Sequence, residues 1–325
     1  MRSIQETMQA LGRDGEGALS EEDAAFLAGA MLDGGVPDLE LGCLLALLRM
    51  RTDQAGLLAG MLDALDRRMN RWVLRSEKSL PVVIGCHGGA REVPSLVPLL
   101  ALLLAKYDVP VLLHGALHAA SGVSSALVLR ELGILPCTQR NQIDRDLAER
   151  RIAFAPTALI APGLANLLAL QPRVGPMPLL VAASRLLMPL DAGGLIVAGA
   201  QDTTDMDAMR QAVGLRGSRA LLLEGTEGEA FASPLRRPAM EYWCQGDPAL
   251  LFEQDRSPPR RPGTLPHCAP AETAGWIRQV VSGGQAVPSP LINQLAACLF
   301  ASGYCEDFNQ AKAVAAVGAV GRRVA

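Results

Sequence analysis

The chain has 325 residues, half of them hydrophobic and only 4% aromatic, with 33 acidic against 30 basic side chains. That length exceeds one compact core, so two lobes or one large α/β unit are expected, packed by leucine, alanine and valine in place of rings. A net charge of −3 excludes a global attraction to nucleic acid, and any such binding needs a local basic patch.

The opening MRSIQETMQALGRDGEG carries charges where a secretory leader needs an apolar run. Apolar stretches such as 96–105 reach about half of the ~20 residues a membrane helix requires. Cys43, Cys86, Cys137, Cys244, Cys268, Cys298 and Cys305 are odd in number and scattered, with no CxxC pair. Reduced thiols in a cytoplasmic protein, away from membranes, are expected.

The first 75 or so residues read as helical. Ser20-Glu-Glu-Asp23 is a capping-box-like start, Phe26, Leu27, Met31 and Leu32 recur at helical spacing, and Gly34-Gly35 ends the run. Residues 37–50 and 52–74 supply two more helices. LPVVIG (80–85) then opens a different texture: a strand, a glycine turn and an apolar helix at 96–105. VPVLLHG (109–115) repeats it, with a small-residue turn and a helix at 126–132. IAFAP (152–156), GGLIVAGA (193–200) and RALLLEG (219–225) read as further strands, the grammar of a parallel sheet with crossover helices. Residues 157–190 are helix broken by Pro162, Pro172, Pro176 and Pro178. A helix at 205–214 has Thr204 as cap; 256–270 is a loop; helices at 273–282 and 289–302 close the chain.

Four constellations are candidates for chemistry. The turn Gly85-Cys86-His87-Gly88-Gly89-Ala90-Arg91 joins a strand to a helix, so its amides either approach an anion, with Arg91 adding a guanidinium, or need glycine for geometry alone. Cys86 beside His87 admits a thiolate reading, and His114 with His118 a metal reading, against ordinary turn and loop roles. Glu227 and Glu229 follow a strand and are either magnesium ligands through water or a solvated acidic loop. Arg67, Arg68, Arg71, Arg75 and Lys78, near Trp72, form one stripe if the segment is helical, which suits a nucleic-acid backbone or simply a solvated face. Arg256, Arg260 and Arg261 make a second basic loop, and Arg236-Arg237 a third candidate.

This order of elements resembles the anthranilate phosphoribosyltransferase family, within glycosyltransferase family 3, over roughly residues 5–320. The resemblance implies an α/β fold: a small N-terminal helical bundle (1–76, joined by part of 157–190) and a larger α/β domain (77–325) with a mostly parallel central sheet. It also implies phosphoribosyl pyrophosphate and magnesium between the lobes, and a homodimer through the N-terminal helices. Carried over by position, the family's GTGGDG becomes Gly85 to Ala90 and loses its aspartate. Its Asn-x-Ser-Thr run keeps only Ser95. KHGNR becomes Leu113-His114-Gly115-Ala116-Leu117, without the lysine, asparagine and arginine, and the Ser/Gly-rich turn survives in part as Ser121, Ser124 and Ser125. Glu227 and Glu229 are a loose substitute for the magnesium pair, and the anthranilate-side arginine falls near Met177.

APTALIAPGLANLLAL (155–170), ALLLEGTEGEA (220–230) and ETAGWIRQVVSGG (272–284) look like the YbiB-type branch of this fold, which implies a dimeric binder of DNA or RNA without sequence preference. A degenerate phosphoribosyl site is therefore expected. The alternative is a phosphoribosyl- or other glycosyl-transferring enzyme of altered substrate, which alone would retain magnesium.

Overall fold

The structure is a computed structural model that describes residues 4–11, 19–51, 54–74, 78–119, 121–258 and 265–319. Four helices open the chain: α1 (Ile4–Leu11), α2 (Glu21–Leu32), α3 (Asp38–Met50) and α4 (Gln54–Asp66). Ser20 caps α2 as expected, its Oγ accepting from the Asp23 amide at 3.1 Å, and three acids in the first turn complement the free amides there. Helices α2 and α4 approach closely at Gly60, where a β-carbon would lie 2.7 Å from Ala24 Cβ and 2.8–2.9 Å from the Ala25 and Glu21 backbones.

The helix expected at 52–74 ends early, at Asp66. Trp72 is the reason: its ring is 1% exposed, and its backbone is held by a 2.8 Å bond from its amide to the Pro189 carbonyl and by a bridge to Leu190. A helix running on through residue 74 cannot extend the chain across the core in that way.

Strand β1 (Val82–Cys86), helix α5 (Val97–Ala105), strand β2 (Val111–Gly115), helices α6 (Ser125–Glu131) and α7 (Arg140–Arg150) and strand β3 (Ile152–Pro156) follow. The prolines at 162, 172, 176 and 178 then break the chain into α8 (Thr157–Ile160), α9 (Pro162–Leu168), α10 (Gln171–Val174) and α11 (Pro178–Arg185), of which the last three pack on the N-terminal helices. Next come β4 (Leu195–Ala200), α12 (Thr203–Leu215), β5 (Ala220–Glu224), β6 (Met240–Cys244), β7 (Asp247–Phe252), α13 (Pro270–Val281), α14 (Ser289–Ala301) and α15 (Phe308–Ala319).

The seven strands lie in the order β3-β2-β1-β4-β5-β6-β7, parallel from β3 to β5 and antiparallel beyond. Alternation divides the core. Val83, Leu112, Ala153, Ile196 and Leu222 pack with the helical lobe, whereas Val82, Ile84, Leu113 and Phe154 pack with α5, α13 and α14. The helical bundle therefore shares its core with one sheet face. Arg216, at the end of α12, adds an ionic tie to Asp63 and Asp66 of α4.

Three features differ from the sequence reading. The β6–β7 hairpin turns on Gln245 (φ 55°) and Gly246 (φ 91°), both left-handed as a two-residue turn requires, and Pro248 sits on the outer edge strand, where a missing amide is harmless. The cap of α12 is Asp202, which accepts from the Asp205 amide at 2.8 Å, rather than Thr204. Helices α7 and α15 lie outside that reading too, because their apolar positions are few or small.

Gly60→Ala is expected to cost about 1–3 kcal/mol, because its methyl group meets backbone. Gly42→Ala in α3, where a β-carbon meets nothing within 4 Å, is neutral or gains about 0.5–1 kcal/mol. Urea denaturation of the two variants measures the difference; equal stabilities contradict the close crossing.

Candidate functional site

In a parallel sheet the carboxyl ends of the strands open onto loops free to meet a ligand, above all where strand order reverses, here between β1 and β4. The turn after β1 (Gly85–Arg91), the described residues after β2 (116–119 and 121–124) and the turn after β5 (225–229) all lie at that edge. Gly85, Cys86, His87, Gly88, Gly89, Arg91, Ser95, His114, Gly115, Ser121, Ser124, Ser125, Glu227 and Glu229 are thus brought to one region.

The turns are fastened to one another. Ala90 and Val123 exchange two backbone hydrogen bonds of 2.9 Å, and a β-carbon on Gly89 would overlap the Ser121 carbonyl. Ser124 Oγ donates to the Leu117 carbonyl at 2.7 Å. Ser125 Oγ donates to Glu229 Oε2 at 2.9 Å, so Ser95 Oγ, 2.8 Å from Ser125 Oγ, supplies that pair's other proton. Glu229 is 1% exposed, its second oxygen has no partner, and burial raises its carboxyl above the usual range.

Glu227 points the other way. Residues 226–229 form a tight turn with Glu227 (φ 53°) and Gly228 (φ 78°) both left-handed. The Glu227 carboxylate accepts from the Arg91 amide at 2.8 Å on one oxygen and from the Glu92 amide at 3.1 Å on the other. Arg91 Nε lies 3.7 Å from the latter oxygen. The two glutamates diverge, Glu227 with both oxygens on backbone amides and Glu229 with one on Ser125, so the magnesium reading does not fit them as a pair. Among the described residues no group of three His, Cys, Asp or Glu can hold a metal, which also corrects the His114–His118 reading.

The titratable groups behind the turn are held neutral. Burial pushes the Cys86 thiol well up, with Glu229 adding to it, which removes the thiolate reading. Burial holds His87 well below its ordinary value, helped by His114 and Arg185, and brings His114 down to about 4. The two rings meet edge-on, centroids 5.7 Å apart, and both His114 nitrogens are unpartnered.

Sequence reasoning missed Arg185. It ends α11 at 3% exposure and pairs with Asp205 Oδ2 at 2.7 Å; its Nε has no partner. It is a buried cation beside the acidic turn, where a β-carbon on Gly228 would lie 2.6 Å from Arg185 Nη2. No motif marks it: Arg185 stands in an apolar helix, and its partner begins another element.

A cavity of about 340 Å³ opens between these turns and the broken helices, lined by His87, Gly115–Ala119, Pro156–Ala158, Ala165, Leu168, Ala169, Gln171, Pro172 and Val181. Among the described residues no Asp, Glu, Lys or Arg lines it. Leu113, where the resemblance leads one to expect a lysine, is wholly buried in β2, and Met177 is a buried apolar side chain.

The basic stripe is a further correction. Residues 67–74 lie outside α4, so their side chains share no helix face. Arg68 forks onto Asp33 at 2.7 Å through two nitrogens, Arg71 pairs with Asp66 at 2.9 Å, and Lys78 reaches Asp108 at 3.4 Å. Arg67 is exposed in a groove shared with Glu21, Glu22, Asp33 and Asp63. Arg75, Arg260 and Arg261 lie outside the described residues.

Residues 8–69 match the family described as glycosyl transferase family, helical bundle domain. The chain is 31% identical over 287 residues to a protein of Escherichia coli strain K12 named uncharacterized protein YbiB, covering 88% of this chain and 89% of that one. It is 31% identical to an anthranilate phosphoribosyltransferase of Synechococcus sp. strain JA-3-3Ab, over 42% of this chain and 40% of that enzyme. In fold it is similar to the anthranilate phosphoribosyltransferase of Thermus thermophilus, with a TM-score of 0.76, 19% identity and coverage of 98% and 94%. The Saccharomyces cerevisiae enzyme in complex with PRPP and Mg gives a TM-score of 0.72 at 14% identity, with coverage of 98% and 95%. With its helical bundle, its mostly parallel sheet and a YbiB likeness along most of its length, the chain belongs to the anthranilate phosphoribosyltransferase-like proteins of glycosyl transferase family 3.

Proposed function

We propose that this protein is a non-catalytic member of its family: a cytoplasmic homodimer that binds nucleic acid without sequence preference, its phosphoribosyl site degenerate. The observation that carries the loss of catalysis is the cavity wall, which offers no charged side chain to a sugar bearing several phosphate charges. Each missing charge-assisted hydrogen bond costs ~1.5–3 kcal/mol, and the losses fall on one substrate. The amides best placed to cradle a phosphate are, in addition, taken by Glu227.

Pairing through the N-terminal helices is supported by α3. Leu39 (83% exposed), Cys43, Ala46 and Met50 (81% exposed) recur at spacings of four, three and four, one apolar stripe facing outward. Nucleic-acid binding is supported by exposed arginines without a carboxylate partner among the described residues. Arg49 lies against the Gly175 turn, and Arg173 is exposed two residues before that glycine. Most of the Arg67–Lys78 run contributes little, being neutralised by acids. A cytoplasmic setting accords with seven unpaired cysteines, and no helix among the described residues is long and apolar enough to cross a membrane.

Fluorescence anisotropy with labelled single- and double-stranded oligonucleotides tests the binding. Affinity is expected to fall steeply with salt, and Arg49→Ala with Arg173→Ala to flatten the log–log slope by about 2, one per phosphate contact. No binding at low salt, or binding indifferent to salt, contradicts the proposal. Sedimentation equilibrium tests the dimer: Leu39→Glu with Met50→Glu is expected to give monomers, and a wild-type monomer at all concentrations removes it.

A further inference from the structure

The Glu227 contact has the form of a ligand complex. Two consecutive amides, from Arg91 and Glu92, each meet one oxygen of a single carboxylate at 2.8 and 3.1 Å, with a guanidinium 3.7 Å away. Successive backbone amides converging on paired oxygens, beside a cation, are how proteins grip phosphate-type anions. Here the anion is the protein's own.

The closure is built from both sides. Glu227 holds φ at 53°, a conformation that side chains with a β-carbon disfavour and glycine accepts. Across the contact, a β-carbon on Gly88 would sit 3.0 Å from the Glu227 carbonyl and 2.8 Å from Glu229 Oε1, so only glycine admits the acidic turn this closely. The frame around the two amides does not depend on Glu227: the Ala90–Val123 exchange and the Ser95–Ser125–Glu229 chain hold the turn separately. Solvent reaches the lock mainly through Arg91, whose side chain is 55% exposed against 15% for Glu227.

We propose that the Arg91 and Glu92 amides, with the Arg91 guanidinium, form a phosphate-type anion site, and that Glu227 is its resident internal competitor. An external phosphate group enters only by displacing that carboxylate, so the intact protein binds such anions weakly. This inference rests on the turn geometry and stands whether or not the chain binds nucleic acid.

The test is calorimetric titration of the full chain and of Glu227→Gly with inorganic pyrophosphate. Glycine suits the backbone at 227, and Glu227→Gln, which keeps the shape and removes the charge, serves as a second variant. Each variant is expected to bind pyrophosphate at least about tenfold more tightly than the wild type, and adding Arg91→Ala to Glu227→Gly to abolish the gain. Hydrogen exchange supplies an independent readout: the Arg91 and Glu92 amides exchange faster in Glu227→Gly and are protected again by pyrophosphate. A parallel titration with a short oligonucleotide distinguishes the source of the phosphate. A gain there alone assigns the site to a polymer's phosphates; a gain with pyrophosphate assigns it to free anions. Variants that melt like the wild type and show no gain with either probe overturn the proposal.

Discussion

Two backbone amides at the carboxyl edge of the sheet end on one side chain, the carboxylate of Glu227, and that contact decides which groups at the edge stay free to meet an anion. A strand–turn–helix connection in an open parallel sheet leaves amides free, and free amides beside a cation attract anions. This chain satisfies them internally. The acidic turn after β5 crosses the edge of the sheet, sends Glu227 to the turn after β1 and Glu229 beneath it, and so ties three loops into one unit. What a phosphate would hold together in a ligand complex is held together without one.

The interior behind that unit follows the same logic. Arg185 is the buried cation of the region, and it faces carboxyl groups of the protein: Asp205 in direct contact and Glu229 near by. Isolated, either sign of charge would be prohibitive at this depth; together they are tolerable. The histidines and Cys86 remain uncharged because burial disfavours their ionised forms. The cavity outside this cluster is left with backbone, small apolar side chains, two imidazoles, one hydroxyl and one amide. Such a wall offers no carboxylate, ammonium or guanidinium group, and internal hydrogen bonds fasten the turns around it.

The five parallel strands were legible because each is a short apolar run bounded by turn residues, and burial on both faces demands just that pattern. The Ser20 cap was legible because capping is local. Strands β6 and β7 were not: MEYWC and DPALLF mix polar, aromatic and proline residues, as edge strands can, and their turn lacks the usual Asn-Gly signal. The candidate site was legible as a set of turns but not as a set of contacts. Nothing near Glu227 in sequence shows that it reaches amides 136 and 135 residues away. The basic run misled for the same reason, since the acids that neutralise Arg68 and Lys78, Asp33 and Asp108, lie 35 and 30 residues distant. Charge that is patterned locally can be cancelled at long range.

Family membership fixes the architecture here and leaves the chemistry to the residues at the edge of the sheet. Those residues describe a cavity lined, among the described residues, by no Asp, Glu, Lys or Arg, beside two amides that meet the Glu227 carboxylate. Isothermal titration of the wild-type protein with phosphoribosyl pyrophosphate and magnesium meets that description most directly. The account predicts no saturable heat of binding at millimolar donor, whereas stoichiometric, magnesium-dependent binding in the micromolar range would contradict it.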